Sequence, residues 1–360
     1  MSVFSKAEYD GRVKAIRDAM QFHSLDAMVV TSIPSARYFC GYEGREEIAL
    51  LIFDDEMVLV TGKLHIEEQV KLTYGCDVVE KEKTLSRTIA DLLNERGVKS
   101  AGCEGEIITF TLFTELASQF KGKLLKADGL IEALRELKSD SEIGVILESL
   151  KCAETAYLQT RNSMNLVGST EREVSAKLDY LMKMNGANVI SFPVRVSSGE
   201  NAGVPHRMSD DRVIGFSDPV MFDWGAVVKG YHSDISVTVC PGGMWADLYA
   251  VVLKTIEQME QQIVPGMVCS DVYRITVAVM HEIGGRLVEY EMYGNSVGHG
   301  IGLEEHETPH LSKYSANVIR VGQVICFEPS LYLYGKGCIH LESMYRVTTN
   351  GLLRLSTLKR

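Results

Sequence analysis

No stretch of this 360-residue chain reaches the roughly 18 consecutive apolar residues that a membrane-crossing helix needs. Its opening, MSVFSKAEYDGRVKAIRDAM, is charged and helix-patterned and lacks the apolar core of a signal peptide. No Cys-x-x-Cys pair occurs among the eight cysteines, and several of them lie in apolar runs such as Val239-Cys240 and Ile325-Cys326-Phe327. That is the setting of buried, reduced thiols in a reducing compartment. Basic residues are in the minority, 37 against 48 acidic, and the net charge of −11 has the wrong sign for a nucleic-acid surface. Internal repeats and low-complexity segments are missing too. A soluble cytoplasmic protein with no membrane or nucleic-acid partner is the expectation.

What is present is ordinary globular chemistry, 46% apolar and 24% charged, which rules out disorder as the main state. The length exceeds one hydrophobic core, so two domains are expected. In the first third, helical spacing over 9–23 precedes an apolar run at 25–32 that meets Pro34. Two strands follow around Asp54-Asp55, then a helix from about Leu64, and strands at 76–79 and 100–103 flanking a helix over 84–97. This α/β pattern predicts an N-terminal domain over 1–128. The charged helical stretch 129–165 reads as a pair of linking helices. Beyond it, helices at 171–184, 245–263 and 270–289 and strands at 187–196, 220–223, 232–239, 324–328 and 338–347 predict an α+β domain with a largely antiparallel sheet.

Seven of the nine histidines fall between His206 and His340, and that skew marks the second domain for chemistry. In MFDWGAVVKGYHSDISVTV an apolar strand ends at Asp223, a Trp-Gly turn follows, and a return strand carries Asp234. Two carboxylates facing each other across a hairpin repel unless protonated or bridged by cations. The alternative is a turn residue and a surface residue. In NSVGHGIGLEEHETP, glycines at 298, 300 and 302 surround His299 and allow close backbone approach, with His306 shortly after; a structural histidine in a tight loop is the alternative. VICFEPSLY and CIHLESMYRVT each place one carboxylate, Glu328 or Glu342, inside an apolar strand. That placement is costly unless a metal or a basic partner (Arg or Lys) compensates. Four carboxylates and one imidazole suit two hard-to-borderline divalent ions such as Mn²⁺, Co²⁺ or Zn²⁺. No cysteine occupies these positions, which disfavours a structural zinc site.

The order Asp223, Asp234, His299 in a Gly-rich loop, Glu328-Pro329 and Glu342 closely resembles the pita-bread metallopeptidases. These include prolidase (Xaa-Pro dipeptidase), aminopeptidase P and methionine aminopeptidase, with creatinase as a non-peptidase relative. The likeness covers nearly the whole chain. SLDAMVVTSIPSARYFCGYEG resembles the family's creatinase-type N-terminal domain, and VSSGENAGVPHR resembles a loop carrying a substrate-side histidine, here His206. It implies a creatinase-type α/β domain over 1–128 and a pita-bread catalytic domain with a curved sheet over 129–360. It also implies two divalent metal ions held by Asp223, Asp234, His299, Glu328 and Glu342, a short Xaa-Pro peptide as substrate, and a homodimer.

In the mechanism so implied, a water bridging the ions attacks the scissile carbonyl and Glu328 accepts its proton. His206 and His306 stabilise the oxyanion or move a proton to the leaving nitrogen; the alternative makes both polar rim. Asn295 stands where an active-site His is usual and His340 where Arg is usual, and both are expected on the substrate side. Two other readings stay open: hydrolysis of a non-peptide C–N bond, in the manner of creatinase, and non-catalytic peptide binding.

Overall fold

The computed structural model describes residues 3–288 and 294–360. The chain divides into two compact units, Met1–Arg135 and Glu136–Arg360. The first contains α1 (Lys6–Phe22), β1 (Ala27–Val30), α2 (Ile33–Cys40), β2 (Ala49–Phe53), β3 (Met57–Thr61), α3 (Ile66–Leu72), β4 (Asp77–Glu80), α4 (Leu85–Glu95), β5 (Ser100–Cys103), α5 (Phe110–Gln119), β6 (Lys123–Lys126) and α6 (Leu130–Arg135). Its sheet runs β4-β3-β2-β1-β5-β6. Three inner strands, AMVV, ALLIF and MVLVT, are apolar except for Thr61 and wholly buried, as strands covered on both faces must be. The edges β4 and β6 end in charged residues and are partly exposed. Pro34, where the apolar run stops, lies in the first turn of α2, a position that needs no amide donor, and Ser32 caps that helix. The division falls beyond residue 128 because α6 packs on α1, and Leu134 O accepts from the Tyr38 hydroxyl at 3.2 Å.

The second unit contains α7 (Asp140–Ser163), α8 (Glu171–Met184), β7 (Val189–Ile190), β8 (Arg195–Ser198), α9 (Gly199–Ala202), β9 (Val220–Trp224), β10 (Ala226–Val228), β11 (Tyr231–His232), β12 (Ile235–Val239), α10 (Met244–Gln262), α11 (Cys269–Gly284), β13 (Ser296–Gly300), β14 (Glu307–Ser312), β15 (Val324–Phe327), β16 (Ser330–Leu333), β17 (Gly337–His340), β18 (Ser343–Thr348) and β19 (Gly351–Arg354). Capping boxes, Ser139 with Glu142 and Thr170 with Glu173, start α7 and α8. Strand pairings in this unit are antiparallel among the described residues, in the orders β11-β10-β7, β12-β9-β8, β14-β13-β15-β18-β19 and β16-β17. Val252, Ile256 and Met259 of α10 and Val272 and Met280 of α11 share a core with Ile325, Phe327, Tyr345 and Val347.

Three local readings change. The strand expected over 187–196 is interrupted at Pro193, which has no amide to give a ladder, and becomes β7 and β8. The helix expected over 270–289 ends at Gly284, and residue 289 lies outside the described residues. The Trp-Gly turn is not a turn: β9 continues through Gly225 into β10, and a Cβ there would stand 1.8 Å from the Ser233 carbonyl oxygen. Gly225→Ala is therefore expected to destabilise the protein by roughly 2–3 kcal/mol or more. Chemical denaturation would read this as a lower midpoint; an unchanged midpoint would mean that the two strands part easily there.

Candidate functional site

Two sheet registers build the site. In the first, β9 pairs with β12 so that Asp223 is opposite Ser236. Side chains alternate along a strand, so Asp234, two residues before Ser236, shares the face of Asp223 as its diagonal neighbour. The two carboxylates do converge, but diagonally, with the β10–β11 hairpin inserted between them. Both are buried, which removes the reading of Asp234 as a surface residue.

In the second register, β15 pairs with β18 through Phe327↔Ser343, and β16 with β17 through Ser330↔His340. Both ladders keep one alignment, so Glu328 and Glu342 fall opposite each other between them. Cys326, Glu328 and Ser330 then share a face with His340, Glu342 and Met344. Pro329 breaks the ladder at this point, and other strands take up the freed amides. Glu328 N donates to Val297 O and Glu342 N to Ser236 O, each at 2.9 Å. The second of these bonds fastens the two registers together.

His299 sits on β13 between β14 and β15. A Cβ on Gly298 would meet Cys326 O at 2.1 Å and one on Gly300 would meet Thr308 O at 2.3 Å, so glycine on either side lets the flanking strands close in. The His299 Nδ1 lies 3.0 Å from Gly300 O. A carbonyl only accepts, so Nδ1 carries the proton and Nε2 offers its lone pair inward. Around Nε2 stand Asp234 Oδ2 at 3.7 Å, Glu328 Oε1 at 3.9 Å and Glu342 Oε1 at 3.9 Å.

The carboxylates lack enough protein partners. Among the described residues, Asp223 Oδ1, Asp234 Oδ1 and Glu342 Oε1 are buried without a hydrogen bond. Burial, then the charge of Glu342 and Asp223, pushes Asp234 well above the usual carboxylate range. Burial, with Glu328 and Asp223 beside it, pushes Glu342 up to about 8. Burial opposes ionisation of Glu328 as well, but contact with His340 and the nearness of His299 prevail and lower it. Three carboxylates gathered at an imidazole lone pair, with buried oxygens of Asp234 and Glu342 left unpartnered among the described residues, fit a divalent cation.

Every expected site residue lines one cleft of about 500 Å³: Asp223, Asp234, His299, Glu328 and Glu342, with His206, His306, Asn295 and His340. His206, His306 and Asn295 are exposed at its mouth, and the His306 ring meets that of His299 edge to face at 4.2 Å. His340 is buried, with Nδ1 3.2 Å from the Tyr332 hydroxyl and Nε2 3.3 Å from Glu328 Oε2. Burial disfavours its protonation, but Glu328 and Asp223 outweigh that and raise its pKa.

Sequence reasoning missed two participants. Arg195, directly opposite Asp223 across β8 and β9, forms an ion pair with Asp223 Oδ2 and contacts His206 Nδ1. A guanidinium only donates, so His206 accepts there and carries its proton on Nε2. Cys326 is the second. It is not one of the expected ligands, but its Sγ lies within 4.8 Å of ligand atoms of Asp234, His299 and Glu342. Its apolar neighbours announced burial but not the face it would take.

Residues 145–349 match metallopeptidase family M24, and residues 12–137 match the creatinase/prolidase N-terminal domain. The chain is 31% identical over 356 residues to the Xaa-Pro dipeptidase of Pyrococcus horikoshii, covering 97% of each sequence. Its fold is similar to the structure of an Xaa-Pro dipeptidase from Bacillus anthracis, with a TM-score of 0.91, 28% identity and 98% of each chain covered. It is also similar to that of the prolidase from P. horikoshii OT3, with a TM-score of 0.89 at 30% identity, over 97% of this chain and 99% of that one. An α/β domain ahead of a pita-bread domain is the architecture these proteins share with it. The chain belongs to metallopeptidase family M24, and it is a metal-dependent peptidase with a creatinase/prolidase N-terminal domain.

Proposed function

We propose that this chain is an Xaa-Pro dipeptidase, cleaving short peptides before a proline in the cleft that holds His299. The observation that carries the reading is the gathering of the Asp234, Glu328 and Glu342 carboxylates around His299 Nε2 on the cleft floor, where Glu342 Oε1 has no hydrogen-bond partner among the described residues. Asp234, His299, Glu328 and Glu342 would hold a divalent ion of the Mn²⁺, Co²⁺ or Zn²⁺ type. A second position, which the likeness implies, would use Asp223. Bound metal would acidify a water so that it attacks as hydroxide near neutral pH.

The residues around that water divide the remaining work. Glu328, kept ionised by His340, takes the proton at Oε2. Partial desolvation against the cleft wall, with the His299 ring beside it, lowers the pKa of His306, so a neutral ring can serve as a hydrogen-bond donor to the developing oxyanion. His206, donating from Nε2 at the mouth, can give a hydrogen bond to the substrate backbone. Asn295 also stands at the mouth, and His340 meets the substrate from the floor. The eight free cysteines, most of them buried, suit a reducing cytoplasm.

The test uses metal-stripped protein with and without added Mn²⁺, Co²⁺ or Zn²⁺, against an Xaa-Pro dipeptide and a longer Xaa-Pro peptide. Hydrolysis of the dipeptide, dependent on metal, is the expected result. Full turnover by metal-free protein would overturn the reading. Release of the first residue from the longer peptide alone would replace it with an aminopeptidase.

A further inference from the structure

We propose that Arg195 stands in for one of the two cations that the family likeness implies, so that this chain binds a single divalent ion tightly, within the set Asp234, His299, Glu328 and Glu342. The inference rests on the metallopeptidase reading and refines its metal count.

Register is the first argument. Arg195 and Asp223 are directly opposed Cα partners on β8 and β9, so two paired strands hold the pair together rather than a flexible loop. Burial is the second. The Arg195 side chain is 15% exposed and that of Asp223 is 3% exposed, and the guanidinium contacts Asp223 Oδ2. His206 Nδ1 meets the guanidinium from the mouth, and the Phe192 ring lies under it, 5.3 Å from Cζ. Together they fix the guanidinium against Asp223 and oppose its swinging away.

The grouping of ligand atoms agrees. Among the described residues, Asp234, His299, Cys326 and Glu342 converge on one another, as do Glu328, His340 and Glu342, and Asp223 belongs to neither group. Charge points the same way. A guanidinium does not lose its proton in proteins, so a positive charge stands at Asp223 at every working pH. A divalent ion placed on the same carboxylate would meet that charge at ion-pair distance in a poorly solvated pocket. The carboxylate cannot serve both cations well.

Metal titration reads this without reference to turnover. Stripped wild-type protein and Arg195→Met would be titrated with Co²⁺, followed by visible absorbance and calorimetry. The wild type is expected to saturate with one tight equivalent. Arg195→Met should take a second, its affinity rising roughly 100-fold or more once the competing charge is removed. Asp223→Asn covers the case in which the first variant does not fold. It should keep the tight equivalent at essentially wild-type affinity, because the amide replaces a carboxylate that serves the arginine. Two comparable equivalents in the wild type, or loss of the tight equivalent in Asp223→Asn, would overturn the inference and leave the peptidase reading standing. Binding of no ion by the wild type would overturn both.

Discussion

Asp234→Asn is expected to remove metal and peptidase activity together while making the metal-free protein more stable. The opposite signs follow from one cause. Asp234 is buried, with Oδ2 3.7 Å from His299 Nε2 and Oδ1 without a partner among the described residues, and its pKa is raised well above the usual range by burial and by Glu342 and Asp223. Without metal its charge is unwelcome, and an amide of the same shape relieves the repulsion. With metal that charge is what binds, and an amide supplies a weaker ligand. Loss of the ion would return the attacking water from a pKa near 7 toward 15.7, so a fall in kcat/KM on the order of 10⁴-fold or more is expected. Elemental analysis, kinetics and a thermal melt of the stripped protein give the three readouts. A variant that merely misfolds would lose activity with a lower Tm. Full metal content and wild-type turnover would show that Asp234 is not a ligand.

Stripped protein should also lose stability as pH rises from about 5 to about 8, the reverse of ordinary acid denaturation. Asp234 and Glu342 have folded pKa values above their unfolded ones, Glu342 at about 8 against 4.5. Across that window the folded state holds protons that the unfolded state has released, so stability falls as pH increases. His340, also raised, acts in the same direction through its own titration. Glu328 is lowered, so its contribution is already complete above its unfolded value. His306 is lowered and opposes the trend at the acid end of the window. Glu342 alone represents several kcal/mol. Added metal should flatten or invert the slope, because it binds the ionised carboxylates and only in the folded state. Melts of stripped and loaded protein across this range would decide. A stripped protein that gains stability toward pH 8 would mean that the carboxylates are already neutralised from within.

The residue types of the site were legible in the chain before any coordinates, because polar atoms in apolar strands need an explanation. Asp223, Glu328 and Glu342 each interrupt an apolar run, and glycines at 298 and 300 announce a crowded backbone around His299. Partnership was less legible. Arg195 ends an apolar run without any local sign of which carboxylate it will meet, since the β8–β9 pairing that sets it opposite Asp223 is a tertiary event. Nothing in Cys326 itself distinguished a thiol facing carboxylates from one facing the core. The hairpin joining Glu328 to Glu342 did leave a local trace, glycines at 335 and 337 between two alternating segments, and reading those segments as separate strands overlooked it. In the N-terminal unit the apolar strands were plain, while α5, largely exposed, and β6, exposed with a lysine at each end, gave no clear period.

That hairpin also limits how this part of the chain can vary in length. Glu328 and Glu342 are mirror positions about residue 335, and the unbroken alignment from Val324↔Arg346 to Leu333↔Gly337 keeps both carboxylates on one face. Adding or removing a single residue at the tip forces a choice. Either the ladder slips by one, turning one glutamate away from the cleft and into the apolar core, or a longer loop or a bulge must absorb the change. Two residues restore the parity and cost only a longer loop. Length changes at this tip are therefore judged by where they are absorbed: one taken up in the loop or a bulge leaves the chemistry alone, and one that slips the ladder by a single residue takes away a carboxylate that is still written in the sequence.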